Sequence, residues 1–423
     1  MMKSSDGTIP SAAAGQAAET VINPLPRVAI QAFCDTQELA VLIQSAAADR
    51  RAEKAHIKVQ MGGLPAAVEA YRNAPTPNII LVEVDGERTA ILRYLDELSG
   101  YCDSGTKVLV IGHTNDVVLY RELMRRGVSE YLLLPMTPLD IVRGMSEVFS
   151  QPAAEPLGRT IAVIGAKGGV GASTVAHNLA WNISRFIGLD TVIVDMDLPF
   201  GTAGLNFNQD PAQGISDAVF SPERLDANMI DRLLTKCSDH LSILAAPATL
   251  ERAYDLHEAS FDPVYEILRG AVPVIVLDVP HVWSAWSKRA LASADEIVIV
   301  AAPDLANLRN AKNISDSLRQ IRVNDSMPRL VINTAGMQKR PEIATVEFAK
   351  ALELEAIASI PFDANLFGTA ANNGQMIAEI QAKGKITEMF TSMARSVTGR
   401  NEARAERKSF MAPILARLKM RKA

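Results

Sequence analysis

A chain of 423 residues suits two to three domains at ~100–200 residues each, and 48% apolar with 22% charged residues excludes a wholly disordered, collagenous or coiled-coil protein. Three widely spaced cysteines (Cys34, Cys102, Cys237), no signal-peptide h-region and no apolar run near the ~18–20 residues of a spanning helix point to a soluble protein of a reducing cytosol. The net charge of −5 gives nucleic acid no global attraction, although residues 400–423 set eight Lys and Arg against Glu402 and Glu406, a basic tail on an acidic body.

Residues 1–26 are rich in Ser, Ala, Gly and Pro and hold too few large apolar side chains to offset chain entropy; they read as disordered. From 27 to 149, short apolar runs alternate with helical periodicity. Strands are predicted at Val28–Phe33, Ile57–Met61, Ile79–Val84, Lys107–Ile111 and Tyr131–Leu134, and helices at Leu39–Ala48, Ala66–Asn73, Thr89–Leu98, Val117–Arg126 and Pro138–Phe149. That alternation indicates a small doubly wound α/β domain. Residues 150–158, with two prolines and a glycine, form a linker. A second α/β domain then spans 159–395, with strands predicted at Thr160–Gly165, Thr191–Asp195, Leu241–Ala245, Val274–Asp278, Glu296–Ala301, Arg329–Asn333 and Ala356–Ile360. Most are continuous Val/Ile/Leu runs, as parallel strands covered on both faces require. Residues 396–423 make the basic tail.

The stretch Ala162–Ala180 carries the chemistry: an apolar strand enters the glycine-rich turn Gly165-Ala-Lys-Gly-Gly-Val-Gly171, and a helix begins near Ser173. Glycines let the backbone curl with its N–H groups inward, and the helix N-terminus adds unpaired donors and a positive dipole end, together a cradle for phosphate. Against GxxxxGK[ST], Ala166 replaces the first glycine and Ala172 the phosphate-bridging lysine, while Lys167 stands at the front of the loop.

That front lysine, followed by Gly168-Gly-Val-Gly171, resembles the deviant Walker A motif of the ParA/MinD family over about residues 158–395. The resemblance implies a P-loop ATPase that binds ATP with Mg2+ along Lys167, Gly168, Gly169, Val170, Gly171, Ala172, Ser173 and Thr174. In it Lys167 reaches the partner's phosphates across a nucleotide-sandwich homodimer, Ser173 binds magnesium and Thr174 the α-phosphate. Val192-Ile-Val-Asp-Met-Asp197 matches the segment before the first switch, which implies that Asp197 positions the attacking water and Asp195 supports the metal shell. Val274–Pro280 matches the Walker B strand, with Asp278 holding magnesium through water. Leu330–Asn333 matches the strand whose Asn333 reads the adenine edge, and Ile360–Asp363 the loop closing over the base, with Pro361 and Asp363. With Ala172 in the lysine position, fixed positive charge at the β and γ oxygens is short, and hydrolysis is expected to be slow at best.

The N-terminal domain resembles a response-regulator receiver whose phosphate chemistry is altered. Asn78-Ile-Ile-Leu-Val-Glu83 places Glu83 at the phosphoacceptor position, Leu134-Pro135 replaces a Lys-Pro pair, and the acidic pair is reduced to Cys34-Asp35. Scaffold or docking duties are expected of it, since a carboxylate carries less charge than a phosphoryl group.

After the Walker B strand, Trp283 and Trp286 lie three apart, on one helical face: either an apolar contact that senses nucleotide or packing beneath the switch helix. In the tail, Ile414, Leu415 and Leu418 among Arg417, Lys419, Arg421 and Lys422 read either as a membrane-surface helix or as a solvated segment.

A degenerate receiver, a linker and this ATPase domain together resemble the Flp/Tad pilus-assembly proteins of the CpaE and TadZ group over about residues 27–395. The resemblance implies a cytoplasmic factor, polar and peripheral at the inner membrane, that places a pilus or secretion apparatus and meets inner-membrane components and the motor ATPase. Two alternatives stand beside it: a ParA/MinD-like partitioning or division-site factor binding DNA or membrane, against which the acidic body speaks, and a non-catalytic dimeric scaffold with a vestigial P-loop.

Overall fold

The computed structural model describes residues 22–103, 105–149, 157–250 and 253–399. The expectations for residues 1–21, for linker residues 150–156 and for the tail from 400 onward lie outside the described residues.

The smaller sheet is built from β1 (Ala29–Cys34), β2 (His56–Met61), β3 (Ile79–Val84), β4 (Lys107–Gly112) and β5 (Glu130–Leu133), all parallel in the order β2-β1-β3-β4-β5. The larger holds β6 (Arg159–Gly165), β7 (Thr191–Asp195), β8 (Thr235–Ser238), β9 (Leu241–Leu244), β10 (Val274–Val279), β11 (Glu296–Ala301), β12 (Arg329–Ala335) and β13 (Glu355–Pro361). Its order is β13-β12-β11-β6-β10-β7-β9-β8, parallel except for β8, which pairs antiparallel with β9 at the edge. The α/β class with two doubly wound parallel sheets is thus borne out.

Helices cover both faces of each sheet, and the strands show why. Along β6, Ala162 and Ile164 enter one apolar core while Ile161 and Val163 enter the other. β3, β10 and β11 are buried at every residue, so their unbroken aliphatic runs are the two-faced burial that parallel strands need. From β6 the chain winds one way to β7, and from β10 it returns to β11 on the other side of β6. This reversal puts the loop after β6 at the carboxyl edge where open α/β sheets bind ligands.

Two terminal expectations are corrected. Residues 22–26 were expected to be disordered with the rest of 1–26, yet Ile22 and Leu25 are buried in the core of the smaller sheet, and Leu25 N donates to Arg51 O at 2.7 Å. Pro24 and Pro26 hold this short segment extended, and two apolar residues are too few to show a period. Gly158, assigned to the linker, lies against Ala271–Pro273: its N donates to Arg269 O at 2.7 Å, and an added Cβ would sit 1.9 Å from Val272 O.

Candidate nucleotide-binding site

The loop between β6 and the helix Ala172–Asn182 is held from outside by its carbonyls. His281 Nδ1 bonds Gly165 O at 2.8 Å, Asn310 Nδ2 donates to Ala166 O at 2.9 Å, and Asn333 Nδ2 donates to Val170 O at 2.8 Å. Ala166 N is taken by Val300 O at 2.8 Å and Val170 N by Lys167 O at 3.3 Å. Among the described residues, the N–H groups of Gly168, Gly169 and Gly171 donate to no protein acceptor. Gly169 and Gly171 have φ of 75° and 87°, the left-handed turn that aims successive N–H groups into one concavity. Ala172, Ser173 and Thr174 form the first helical turn, whose N–H groups have no partner four residues back. Lys167 is exposed at the front of the loop, and its charge adds to the Asn307 hydrogen bonds that outweigh burial and hold the Asp304 carboxyl below the ordinary carboxylate range.

Beside the loop, Asp195 and Asp278 are register partners on β7 and β10, and both are buried. Burial first, and then the neighbouring Asp278 charge, push the Asp195 carboxyl well above the ordinary carboxylate range. Its oxygens accept Asp197 N at 3.2 Å and Ala203 N at 3.0 Å, so Asp195 also organises the segment that follows it. Asp197 is raised by burial and, less, by Asp278, while it accepts Phe200 N at 3.2 Å. Two buried carboxylates side by side are a hard-oxygen donor set for a divalent cation. Among the described residues no three acidic, His or Cys side chains cluster around a metal, so the remaining ligands would be the Ser173 hydroxyl, phosphate and water, which is how Mg2+ is ordinarily held.

At the far side of the loop the residues expected on the base side make contacts within the protein. Asn333 spends its amide nitrogen on Val170 O. Phe362 N donates to Ala335 O at 2.8 Å, which brings Pro361 beside the end of β12. Asp363 caps the helix Ala364–Asn373, with Oδ1 accepting Leu366 N at 2.9 Å, the role more common for an Asp at a strand end.

The AAA domain family matches residues 158–331. The family of 4Fe-4S iron sulfur cluster binding proteins, NifH/frxC, matches 288–417, a stretch without a single cysteine, so cluster ligands are not part of the likeness. The septum site-determining protein MinD of Thermotoga maritima is 25% identical over 257 residues, 57% of this chain and 89% of the relative. The Mg-ADP complex of MinD from Pyrococcus horikoshii shares the fold at a TM-score of 0.51 and 19% identity, over 57% of this chain and 96% of that one. The pilus assembly protein CpaE of Caulobacter crescentus is 50% identical over 30% of this chain, in its N-terminal part, and 98% of that one, at a TM-score of 0.30; the relation rests on the identity. The chain belongs to the CpaE group of the ParA/MinD family.

For a ParA/MinD protein, several of the contacts here leave no trace in the loop motif. His177, fully buried on the P-loop helix, has Nε2 at 3.2 Å from Asp278 Oδ2 and accepts the Asn206 amide on Nδ1 at 2.9 Å, so it ties that helix to the Walker B strand and to the segment after β7. The turn after β12 is stapled by Glu342, which accepts Gly336 N and Met337 N at 2.8 and 3.0 Å, and by Arg340 on Thr334 O. The tryptophan pair is corrected: Ser284 caps the helix Ala285–Ser293, so Trp283 precedes it and stands 48% exposed, while Trp286 packs on Phe261 at 5.2 Å. They do not share a helical face.

In the CpaE-like N-terminal domain, Glu83 is fully buried. Its Oε2 accepts Asp35 N at 2.6 Å and Thr36 N at 2.8 Å, and its Oε1 faces the Thr36 hydroxyl at 2.8 Å and His113 Nε2 at 2.9 Å. Burial works to raise it, but these hydrogen bonds outweigh burial and hold it below the usual range.

Proposed function

We propose that the chain is an ATP-binding positioning and assembly factor for a Flp/Tad-type pilus or related secretion apparatus, switching by nucleotide-bridged dimerisation with slow ATP hydrolysis. The observation that carries nucleotide binding is the loop itself: its carbonyls are taken by His281, Asn310 and Asn333, while the N–H groups of Gly168, Gly169 and Gly171 remain for phosphate beside Asp195 and Asp278. Ser173, Asp195 and Asp278 would hold Mg2+, which supplies charge compensation at the β and γ oxygens. Asp197 orients the attacking water, Thr174 holds the α-phosphate, and Asn333 Oδ1 with Pro361 and Asp363 faces the adenine. Because Ala172 brings no cation, any positive side chain at the γ-phosphate beyond the metal has to be Lys167 of a second copy, which ties turnover to dimerisation.

Six apolar side chains support a covered face there. Phe200, Leu205, Val282, Trp283, Leu305 and Phe362 are each 45% or more exposed, and all follow the carboxyl ends of β7, β10, β11 and β13, the edge that carries the loop. Membership of the CpaE group is what supports the pilus role, the contacts with inner-membrane components and a motor ATPase, and the polar, peripheral location in this reading.

Calorimetry and size exclusion with millimolar MgATP test this directly. Wild type and Lys167→Ala should both bind, and only wild type should move to the mass of a dimer. Absence of heat together with an unchanged mass refutes the switch. Piliation of a deletion strain, restored by wild type but not by Lys167→Ala, tests the biological role.

A further inference from the structure

The two domains meet through charged groups, and two of the grips fall on one helix. Arg50 spends its whole guanidinium across the seam: Nε donates to Asp325 Oδ2 at 2.8 Å, Nη2 to Asp295 Oδ1 at 3.2 Å and Nη1 to the Ser293 carbonyl at 2.6 Å. Three residues on, Glu53 pairs with Arg289 at 3.1 Å, and Arg289 is braced from behind by Asp262 at 2.8 Å. Arg289 and Ser293 both belong to the helix Ala285–Ser293. That helix continues directly from the Walker B strand through Pro280–Ser284, the segment in which His281 holds the P-loop carbonyl of Gly165.

A rigid helix therefore has the phosphate loop at its leading end and the N-terminal domain at its middle and trailing end. The seam is of a kind that can open. A cavity of about 180 Å³ lies in it, walled by Pro24, Lys54, Tyr265 and Ala292 among others, so packing across the contact is discontinuous beside the ion pairs.

We propose that the N-terminal domain is a built-in restraint on the switch helix: Arg50 and Glu53 hold Ala285–Ser293, and through it fix Pro280–Ser284 against the P-loop. The nucleotide side of this inference rests on the ATP-binding reading above. Loosening the seam frees the switch segment to close on nucleotide, and by reciprocity nucleotide weakens the seam by the same factor.

The test uses the full chain with two variants. Arg50→Ala removes the central grip, and Glu53→Lys reverses an exposed pair without disturbing the buried aspartates. Amide hydrogen exchange over residues 285–293 and calorimetric affinity for MgATP are measured on each, with melting curves as a check of folding. Exchange of the helix should rise in both variants, and MgATP affinity should rise at least about five-fold, the lower end of coupling between sites. Folded variants with unaltered exchange, or with unchanged or lower affinity beside a wild type that binds, overturn the restraint and leave the ATPase reading standing. A wild type that does not bind MgATP overturns that reading instead, and exchange alone then decides the restraint: raised in Glu53→Lys it stands, unchanged it falls.

Discussion

Glu83 lies near the end of β3, and its surroundings decide what it does. A signalling carboxylate has to reach solvent or a partner, whereas this one is 0% exposed and saturated by two backbone amides, a hydroxyl and an imidazole. It ties the end of β3 to the turn that opens the first helix and to the turn after β4. Glu83→Gln would turn an amide NH2 toward groups that already donate, leaving at least one buried donor unpaired at a cost of ~1–3 kcal/mol. Because the folded carboxyl titrates below its ordinary value, the stabilisation is complete above the unfolded value of ~4.3 and is lost as pH falls through the lower folded value. Amide exchange across β3 in the two proteins should differ at pH 7, begin to converge below about pH 4 and become equal only below the lower folded value. Equal protection at pH 7 would show that the carboxylate anchors nothing.

Within the phosphate loop, neighbouring glycines are not equivalent. Gly168 has open space where a Cβ would go, and its φ lies outside the left-handed region. Gly171 has φ +87°, and a Cβ there would stand 2.5 Å from Asn333 Nδ2, the donor that holds Val170 O. Gly171→Ala should therefore lower MgATP affinity at least about ten-fold by strain and by displacing Asn333, while Gly168→Ala should bind as wild type does. Fluorescent-nucleotide titration of both separates a shaped cradle from a glycine turn that serves only packing, which would leave the two variants alike. The strands around this loop were legible in the sequence, since long Val/Ile/Leu runs are what two-faced burial demands; Ile79–Val84, Thr191–Asp195 and Glu296–Ala301 are found with the expected bounds. The edge strand Thr235–Ser238 was not, because Thr-Lys-Cys-Ser is too short and polar to announce itself. Nor were His177 and Asn310, whose partners lie on other elements and whose spacing in their own helices is unremarkable. The tryptophan pair was misplaced because an i, i+3 spacing implies a shared face only inside a helix, and Ser284 starts the helix between them.

The seam between domains is illegible in sequence for a related reason: its charged residues are scattered over short helical turns, loops and the helix Asp262–Ala271, where no period marks them. Arg50, Arg51, Arg269 and Arg322 meet Asp49, Asp295 and Asp325 there, at 2.5 to 3.2 Å. Burial pushes Arg322 down to about 10, and it pushes Asp295 and Asp325 up, but the arginines outweigh it and leave both aspartates below the ordinary range. Depressed carboxyls stabilise the docked state above their unfolded value of ~3.9, and that stabilisation disappears as pH falls through the lower docked values. Each protonated aspartate also leaves arginines buried without a counter-charge, the situation that costs ~3–5 kcal/mol when one partner of a buried pair is removed. The seam should thus begin to weaken below about pH 4, and the domains should separate as pH falls through the lower docked values while their aliphatic cores still hold secondary structure. Small-angle scattering should register a larger radius of gyration there with far-ultraviolet circular dichroism little changed. Raising salt at pH 7 should have almost no effect, since buried pairs are poorly screened, unlike the exposed Lys54–Glu266 contact. Asp325→Asn should open the seam already at neutral pH; a variant as compact as wild type would mean that shape and apolar contact, rather than this charge cluster, hold the two domains together.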